Sequence, residues 1–192
     1  MSKIILGSSS AFRKAQLTTL GVEFECYSPD IDEDAVKEMG LTPLEVSKHL
    51  SKEKALAVKK KYPTDIIISG DQVLEFEGEI FNKPLTNEKA METLSRLQGK
   101  SHQLITSICI IKGEEIFEHT VIAKMKMREL TKSQIENYVL KDEPLWSCGA
   151  YKLETLGIAL FEEIECKDHS SIIGLPLLSV ASTLMKLGVN IL

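Results

Sequence analysis

Two short apolar runs in this chain each lead straight into a small polar turn. Ile4–Leu6 is followed by Gly7-Ser8-Ser9-Ser10, and Ile66–Ile68 is followed by Ser69-Gly70-Asp71-Gln72. A continuous apolar run of this length, bounded by turn residues, is typical of a buried strand. The two runs therefore predict two buried strands, each ending beside polar groups that could bind a ligand.

Helix start signals separate the predicted strands. Thr42-Pro43-Leu44-Glu45 joins a hydroxyl N-cap, a proline at the first helical position and a glutamate at the third. We expect helices at about 11–20, 43–61, 87–97, 132–140 and 176–188, and strands at about 3–6, 22–27, 66–69, 102–111, 116–127 and 171–173, with a hairpin over 74–81 and an acidic loop over 29–33. Strands that alternate with helices and hairpins predict an α/β fold. Since no repeat or linker-like segment is present, we expect one domain spanning residues 1–192.

The charge and the N-terminal sequence narrow the class of protein. A formal net charge of -5 argues against broad binding of a nucleic-acid polymer, which depends on a clustered basic surface. The negative net charge does not exclude a small phosphorylated ligand, because a few clustered Lys and Arg side chains can bind one on an acidic protein. The first apolar run is too short for a signal peptide or a membrane span. We therefore expect a cytoplasmic protein with no membrane partner. Its four cysteines form no C-x-x-C pair, so we expect them to be reduced thiols.

The first candidate site is the turn after the first strand. Ser8 and Ser10 precede a predicted helix whose N-terminus carries about half a positive charge. Arg13 stands in the first turn of that helix, where a cation opposes the helix dipole and therefore calls for an anionic partner. The pattern favours a phosphate-binding loop, although a serine-rich helix cap with a solvated arginine would look the same.

The second candidate is Asp71, which we expect at the carboxyl end of a buried strand, where open α/β sheets bind ligands. Its carboxylate can hold a divalent metal or take a proton from water, and a turn aspartate is the alternative. Lys83, held extended by Pro84, is a third candidate. In the acidic run 30–34, one carboxylate could face a metal, or the whole run could be a solvated turn. Lys54 by itself looks like one of many surface lysines.

Together and in this order, these residues resemble the Maf family of nucleotide pyrophosphatases. The resemblance covers residues 3 to about 180. It rests on Ser8-x-Ser10-x-x-Arg13, Asp32-Glu33, Lys54-Ala55, Gly70-Asp71-Gln72-Val73, Lys83-Pro84, Gly99-x-x-His102 with Thr106, Gly149-Ala150-Tyr151-Lys152-x-Glu154 and Ile173-Gly174-Leu175-Pro176. No single motif is specific, whereas the ordered set is.

The resemblance implies a mixed, elongated sheet flanked by helices, with two lobes around a deep central cleft, and usually a homodimer. It implies hydrolysis of a nucleoside triphosphate between the α and β phosphates, with Mg²⁺ or Mn²⁺ as cofactor. By this resemblance Asp71 is the catalytic acid and, with Glu33, lies at the metal. Arg13, Lys54 and Lys83 bind the phosphates, together with Ser8 and Ser10.

Three positions resemble the branch of the family that acts on 7-methyl-GTP: Phe12, Gln72 and Glu154. Methylation at N7 makes guanine cationic, and an aromatic face attracts such a ring by about 0.5–2 kcal/mol. A carboxylate can accept the guanine N1 and N2 hydrogens in a bidentate pair. Phe12 could instead be a core residue of the first helix.

The chain also departs from that branch. Ala11 stands where the family commonly has proline, and Gly149-Ala150-Tyr151 is closer to the branch that acts on dTTP and UTP. Hydrolysis of dTTP and UTP is therefore the first alternative function. A regulator of septum formation that binds the nucleotide without cleaving it is the second, and the set of acids and lysines weighs against it.

Overall fold

The computed structural model of the protein describes residues 2–192 and has the predicted α/β architecture. Its helices are α1 (Ala11–Thr18), α2 (Glu33–Lys37), α3 (Pro43–Lys61), α4 (Asn87–Leu97), α5 (Lys132–Asp142) and α6 (Leu177–Lys186). Its strands are β1 (Ile4–Leu6), β2 (Glu25–Cys26), β3 (Ile66–Phe76), β4 (Glu79–Phe81), β5 (Ser101–Lys112), β6 (Glu115–Met127) and β7 (Phe161–Glu165). Short 3₁₀ turns cover Cys148–Ala150, Leu156–Leu160 and His169–Ile172.

The seven strands form one mixed sheet in the order β2-β1-β3-β5-β6-β7, and β4 pairs with β3. β1 runs parallel to both its neighbours, with Ile5 opposite Glu25 and Ile67. β3 with β4 and β6 with β7 are antiparallel. The predicted mixed sheet with flanking helices is confirmed.

None of the helices described in residues 2–192 has the length and hydrophobicity of a transmembrane span.

The residue contacts divide the chain into two compact units. Unit 1 comprises the residues up to Gln72 together with Thr106–Val121 and Asp168–Leu192. Unit 2 comprises Val73–Ile105 and Ile122–Lys167. The central cleft and the homodimer that the family resemblance implies stay predictions.

Unit 1 has apolar side chains on both faces of its strands. On one face Ile4, Leu6, Ile66 and Ile68 pack with α1 and α6 through residues such as Leu17 and Val180. On the other face Ile5 and Ile67 pack against Ala55 and Val58 of α3. This explains why the two runs carry no alternating polar residues: both their faces are covered by helices. It also brings α1 and α3, which carry two of the predicted cations, to opposite faces of the same strands.

Unit 2 contains the β3–β4 hairpin, the helices α4 and α5 and the outer part of the sheet. Leu74 lies opposite Phe81 in the hairpin, which turns at Gly78 as the sequence predicts. Met125 and Met127 are fully buried while Lys124 is exposed, so the predicted alternation along β6 is confirmed. The capping box predicted at Thr131 is present at the start of α5.

Two expectations about strand ends are wrong. β3 does not stop at Ser69 but continues through Asp71 to Phe76, because Val73, Leu74 and Phe76 are themselves buried strand residues. Asp71 therefore lies inside a strand. The segment 171–173, expected as a strand, belongs largely to the 3₁₀ turn His169–Ile172. There the Asp168 carboxylate accepts hydrogen bonds from the Ser170 backbone N–H at 3.1 Å and from its hydroxyl, a local bond that competes with a ladder.

Three smaller elements also differ from the expectation. The strand expected over 22–27 is reduced to Glu25–Cys26. The acidic segment is not wholly a loop, because Asp32 caps the five-residue helix α2 by accepting from the Ala35 N–H at 3.0 Å. β7 was not predicted at all. Its sequence, Phe-Glu-Glu-Ile-Glu, is too acidic for an apolar strand signal, and the strand pairs with β6.

Candidate functional site

The turn between β1 and α1 is closed by its own hydroxyls. The Ser10 side chain accepts a hydrogen bond from the Arg13 backbone N–H at 3.4 Å, and the Ser8 hydroxyl accepts one from the Ser10 N–H at 3.2 Å. Ser10 is thus the N-cap of α1, as the sequence indicates. Both hydroxyls stand at the positive end of a helix, which is a favourable place for an anion.

Arg13 extends back over this turn. Its Nε donates to the Gly174 carbonyl at 3.0 Å and its Nη1 donates to the Ser8 hydroxyl at 3.5 Å. Within residues 2–192 no carboxylate forms an ion pair with its guanidinium. A half-buried guanidinium beside a helix N-terminus is therefore left to be neutralised by a ligand or by solvent ions, and a phosphate is the anion that its planar fork fits best.

Lys54 is not a surface lysine: it is 8 % exposed and lies between two carboxylates. Its Nζ is 2.7 Å from Asp71 Oδ1 and 2.7 Å from Glu33 Oε1. The Asp71 side chain is 8 % exposed and that of Glu33 is 47 % exposed, so the cluster runs from the interior to the surface. The structure thus joins three of the predicted site residues in a single charged cluster.

Three elements hold this cluster. α3 begins with the predicted capping box, in which Thr42 and Glu45 bond each other's backbone N–H, and Ala55 beside Lys54 is fully buried. The Ser47 hydroxyl, two turns earlier on the same helix, donates to the Asp71 carbonyl at 3.2 Å and ties α3 to β3. Glu33 is the first residue of α2, where the helix dipole favours an acid.

A close approach of backbone joins the two predicted turns. Gly7 donates its N–H to the Ile68 carbonyl at 2.8 Å. A Cβ at Gly7 would lie 2.1 Å from Ser69 Oγ and 3.0 Å from Val58 Cγ2, so no larger residue fits without a shift. Glycine at this position lets the turn of Ser8 and Ser10 start beside the strand segment that leads to Asp71.

The three residues predicted to select the nucleobase differ in burial and in hydrogen bonding. The Gln72 amide nitrogen donates to the Thr106 hydroxyl at 2.9 Å and to the carbonyls of Ser171 and Ile172 at 2.9 and 3.0 Å, so this group is engaged inside unit 1. Phe12 is half-buried. Glu154 is exposed and belongs to unit 2.

Lys83 is exposed and also belongs to unit 2. The approach of Lys83 and Glu154 to the residues of unit 1 stays a prediction. The sequence reasoning missed Gln16 and Ser47, which contact the 170–175 segment and Asp71 respectively. It named Gly174 in a family motif but did not predict its contact with Arg13. A polar Gln16 beside Leu17 in the first helix was the one visible signal, and it is weak.

The residues that could hold a divalent metal are Asp71 and Glu33, whose oxygens converge on one ammonium. Across residues 2–192 no group of three or more His, Cys, Asp or Glu side chains is arranged as a metal site. A donor set of two carboxylates suits Mg²⁺ that is completed by water and by substrate phosphates, which is a common way for proteins to bind this ion.

An α/β fold with a buried Asp–Lys pair, a second acid and, within residues 2–192, an arginine without a carboxylate partner suits an anionic, phosphorylated ligand. In the comparison with known families, the Maf family, described as Maf-like protein, matches residues 3–187. The chain belongs to the Maf family.

Curated relatives match over nearly their whole length. The 7-methyl-GTP pyrophosphatase of Bdellovibrio bacteriovorus is 38% identical over 182 residues, 95% of each chain. That of Brucella abortus is 40% identical over 191 residues, 96% of each. The nucleoside triphosphate pyrophosphatase of Nitrobacter hamburgensis is 41% identical and covers 96% of this chain and 94% of its own.

A solved structure supports the fold. A HAM1 protein from Coxiella burnetii superimposes with a TM-score of 0.55 over 97% of this chain and 100% of that chain, at 15% sequence identity. At this identity the likeness concerns the fold alone.

Proposed function

We propose that this protein is a nucleoside triphosphate pyrophosphatase that hydrolyses the bond between the α and β phosphates of 7-methyl-GTP, releasing 7-methyl-GMP and pyrophosphate. The observation that carries the proposal is the ammonium of Lys54 held at 2.7 Å by both Asp71 and Glu33. The names of the relatives from Bdellovibrio and Brucella support the choice of substrate.

The cations bind the substrate phosphates in this proposal. Two of the five guanidinium hydrogens of Arg13 are used by Gly174 and Ser8, and the other three remain for phosphate oxygens. Lys54 and, from unit 2, Lys83 add two further positive charges, and Ser8 and Ser10 offer hydroxyls at the helix N-terminus. Since the departing pyrophosphate gains negative charge as the bond breaks, cations near it stabilise the transition state more than the substrate.

Asp71 acts on the attacking water. Lys54 takes the oxygen Oδ1, which fixes the carboxylate plane, while Oδ2 can accept the proton of the water that attacks phosphorus. The hydrogen bond from Ser47, on the same helix as Lys54, to the backbone carbonyl of Asp71 restrains the main chain of the same residue. Glu33 balances Lys54, so that the ammonium stays in place when Asp71 is protonated.

A divalent cation, Mg²⁺ or Mn²⁺, completes the proposed site. Asp71 and Glu33 are the residues that would hold it, and it would supply positive charge to the phosphate oxygens and lower the pKa of a bound water. The two carboxylates fit this role because hard cations prefer oxygen ligands.

Phe12 and Glu154 select the base. Phe12 lies in the first turn of α1 directly before Arg13 and is half-buried, so part of its side chain is accessible to a nucleobase. The cationic ring of 7-methylguanine favours an aromatic face and a carboxylate, whereas neutral pyrimidines gain little from either. Gln72 contributes to the selection of the base indirectly, by holding the segment of Ser171 and Ile172, to whose carbonyls its amide donates.

The second candidate is the same reaction on dTTP and UTP. Gly149-Ala150-Tyr151, closer to the branch that acts on these nucleotides, is the observation that favours it. The nucleotide-binding regulator of septum formation is the third candidate, and it would need neither Asp71 nor Glu33. We further propose a cytoplasmic protein that acts as a homodimer, with no membrane or nucleic-acid partner.

A panel of 7-methyl-GTP, GTP, dTTP, UTP and ATP, each with Mg²⁺ or Mn²⁺, tests the proposal. We expect pyrophosphate release to be fastest from 7-methyl-GTP and to require the metal. Faster release from dTTP and UTP would establish the second candidate. Release of orthophosphate would contradict the cleavage site, and tight binding without any release would identify a regulator.

A further inference from the structure

The segment from Asp168 to Pro176, which we call the anchor loop, is held to the rest of unit 1 by polar side chains. Gln72 donates to the carbonyls of Ser171 and Ile172, and the Thr106 hydroxyl also donates to the Ser171 carbonyl at 2.9 Å. These bonds bridge 65 to 100 residues of sequence. The anchor loop is therefore fixed by tertiary contacts and not only by its own turn.

Gln16 makes three hydrogen bonds with this loop. Its Nε2 donates to the carbonyls of Ser170 at 2.6 Å and Leu175 at 3.3 Å, and its Oε1 accepts from the Leu175 N–H at 3.0 Å. The side chain is 7 % exposed, so water does not compete freely for these bonds. One amide thus binds the loop at two points five residues apart.

Arg13 binds the same loop from the same helix. It stands three residues before Gln16, so the two side chains leave neighbouring positions on one face of α1. Its Nε donates to the carbonyl of Gly174, the residue next to Leu175. The Gly174 carbonyl and the Leu175 N–H belong to one planar peptide group, so the bond from that N–H to Gln16 Oε1 restrains the carbonyl as well.

Gly174 adds a steric reason for this arrangement. Its φ is 134°, a conformation that other residues rarely adopt, and a Cβ there would lie 3.3 Å from both Cγ and Nε of Arg13. The guanidinium therefore lies directly against the loop backbone. A small displacement of the loop would move it.

We propose that Gln16 is a positioning residue for Arg13: by fixing the anchor loop, it holds the Gly174 carbonyl where that carbonyl orients the guanidinium toward the substrate phosphates. The effect on phosphates rests on the proposed function, while the effect on the guanidinium does not. Gln16 itself touches no reacting atom.

The orientation of Arg13 can be measured without any activity. The chain has three arginines, Arg13, Arg96 and Arg128, so ¹⁵N NMR should give three side-chain Nε–H signals, assigned by Arg96→Lys and Arg128→Lys. Gln16→Met keeps the side-chain length and removes all three loop bonds. We expect it to accelerate hydrogen exchange at Arg13 Nε–H by about tenfold or more, since exchange reports local opening of the bond. The control Thr18→Ala loses only a bond to the Lys14 carbonyl on the same helix, and should change that rate by less than about twofold.

Kinetics then test the consequence for the phosphates. We expect Gln16→Met to raise the KM for the triphosphate and the inhibition constant of inorganic pyrophosphate by about fivefold or more, with kcat within about twofold. In the Arg13→Ala background, adding Gln16→Met should change neither constant by more than about twofold, because residues that act through one group are not additive. A merely structural role would lower stability and kcat in both backgrounds.

These measurements test the positioning role of Gln16 separately from the proposed pyrophosphatase function. If Gln16→Met folds and the exchange rate of Arg13 Nε–H is unchanged, the positioning role is overturned even when the variant is active. The role is also overturned if that exchange rate changes while the KM for the triphosphate and the inhibition constant of pyrophosphate do not. If the wild type releases no pyrophosphate, the proposed function fails while the exchange measurement still stands. Should Gln16→Met not fold, Gln16→Glu is measured instead, since it keeps the acceptor for Leu175 and loses both donated bonds. Wild-type Arg13 Nε–H must also exchange more slowly than the Nε–H of arginine in an unstructured peptide, or the bond to Gly174 is refuted.

Discussion

At the scale of single residues, the positive charge of Lys54 offsets the negative charges of two carboxylates in the candidate site. It is the cation to which both Asp71 and Glu33 are bound, and Asp71 is almost wholly withdrawn from water. Within residues 2–192 Asp71 forms no other ion pair, so the loss of Lys54 would leave a buried carboxylate whose desolvation is no longer offset, which is strongly destabilising. The same residue therefore contributes to the fold and to the proposed chemistry.

Lys54→Met should lower the free energy of unfolding by about 3–5 kcal/mol, the usual cost of removing one partner of a buried ion pair. Urea unfolding followed by circular dichroism measures it. Lys60→Met, an exposed position on the same helix, is the control and should change the free energy by less than about 0.5 kcal/mol. Equal effects of the two substitutions would mean that the Lys54 cluster does not stabilise the protein.

Substrate choice is also decided by single residues. Phe12→Arg combined with Glu154→Gln should lower kcat/KM for 7-methyl-GTP by about tenfold or more, since the cation–π contact and the charge-assisted pair are both lost. The values for dTTP and UTP should change by less than about threefold. The exposed Glu162→Gln serves as control. A uniform loss on all nucleotides would refute the specificity argument.

The sequence singled out Lys54, Asp71 and Glu33, which the structure brings together, but it did not predict their surroundings. Lys54 has no local signal of burial, because its neighbours on α3 include Lys48, Lys52 and Lys59. Only the family resemblance singled it out. Gln16 escaped notice since its partners lie more than 150 residues away, and no local pattern reports bonds of that kind.

At the scale of elements, helices were easier to predict than strand ends. The start of α3 was found because the capping box is a local pattern, and the structure contains both of its bonds. α2 was missed because five residues are too few to give a periodic signal. The end of β3 was misplaced because Gly70 and Asp71 favour turns, whereas sheet pairing carries the strand through them.

The contact between β1 and β3 gives an element-scale prediction. Gly7→Ala should cost about 1–3 kcal/mol of stability, because its new Cβ would lie 2.1 Å from Ser69 Oγ. Ser69→Ala alone should be nearly neutral, since that buried hydroxyl has no hydrogen-bond partner within residues 2–192. The double variant should recover part of the loss, as the next atom stands at 3.0 Å. Denaturant unfolding of the three variants measures this, and strictly additive effects would contradict the close contact.

At the scale of the whole molecule, a buried histidine links stability to pH. Burial lowers the pKa of His102 to about 4, and its Nε2 is hydrogen-bonded to the Tyr151 hydroxyl at 2.8 Å. The folded protein thus keeps the ring neutral while the unfolded chain, with a pKa of about 6.5, takes up a proton. The stability that the neutral His102 ring contributes is fully present above about pH 6.5, and it is lost as the pH falls from about 6.5 to about 4.

The loss should approach about 1.4 kcal/mol per pH unit within that range, about 3 kcal/mol in all. His102→Phe should make the free energy of unfolding less dependent on pH between 7 and 4.5, whereas the exposed His119→Phe should not. Urea titrations at several pH values measure both. The same slope in His102→Phe and in the wild type would contradict a neutral buried ring.

Pyrophosphate release from 7-methyl-GTP by Asp71→Asn, compared with the wild type and with the exposed control Glu53→Gln, tests the central proposal most directly. The amide keeps the size of the side chain but cannot accept the proton of water. We predict a loss of turnover of at least about a hundredfold, the low end for a general base. The dissociation constant of 7-methyl-GTP, measured by calorimetry, should change by less than about threefold. Hydrolysis by Asp71→Asn at close to the wild-type rate would contradict the account.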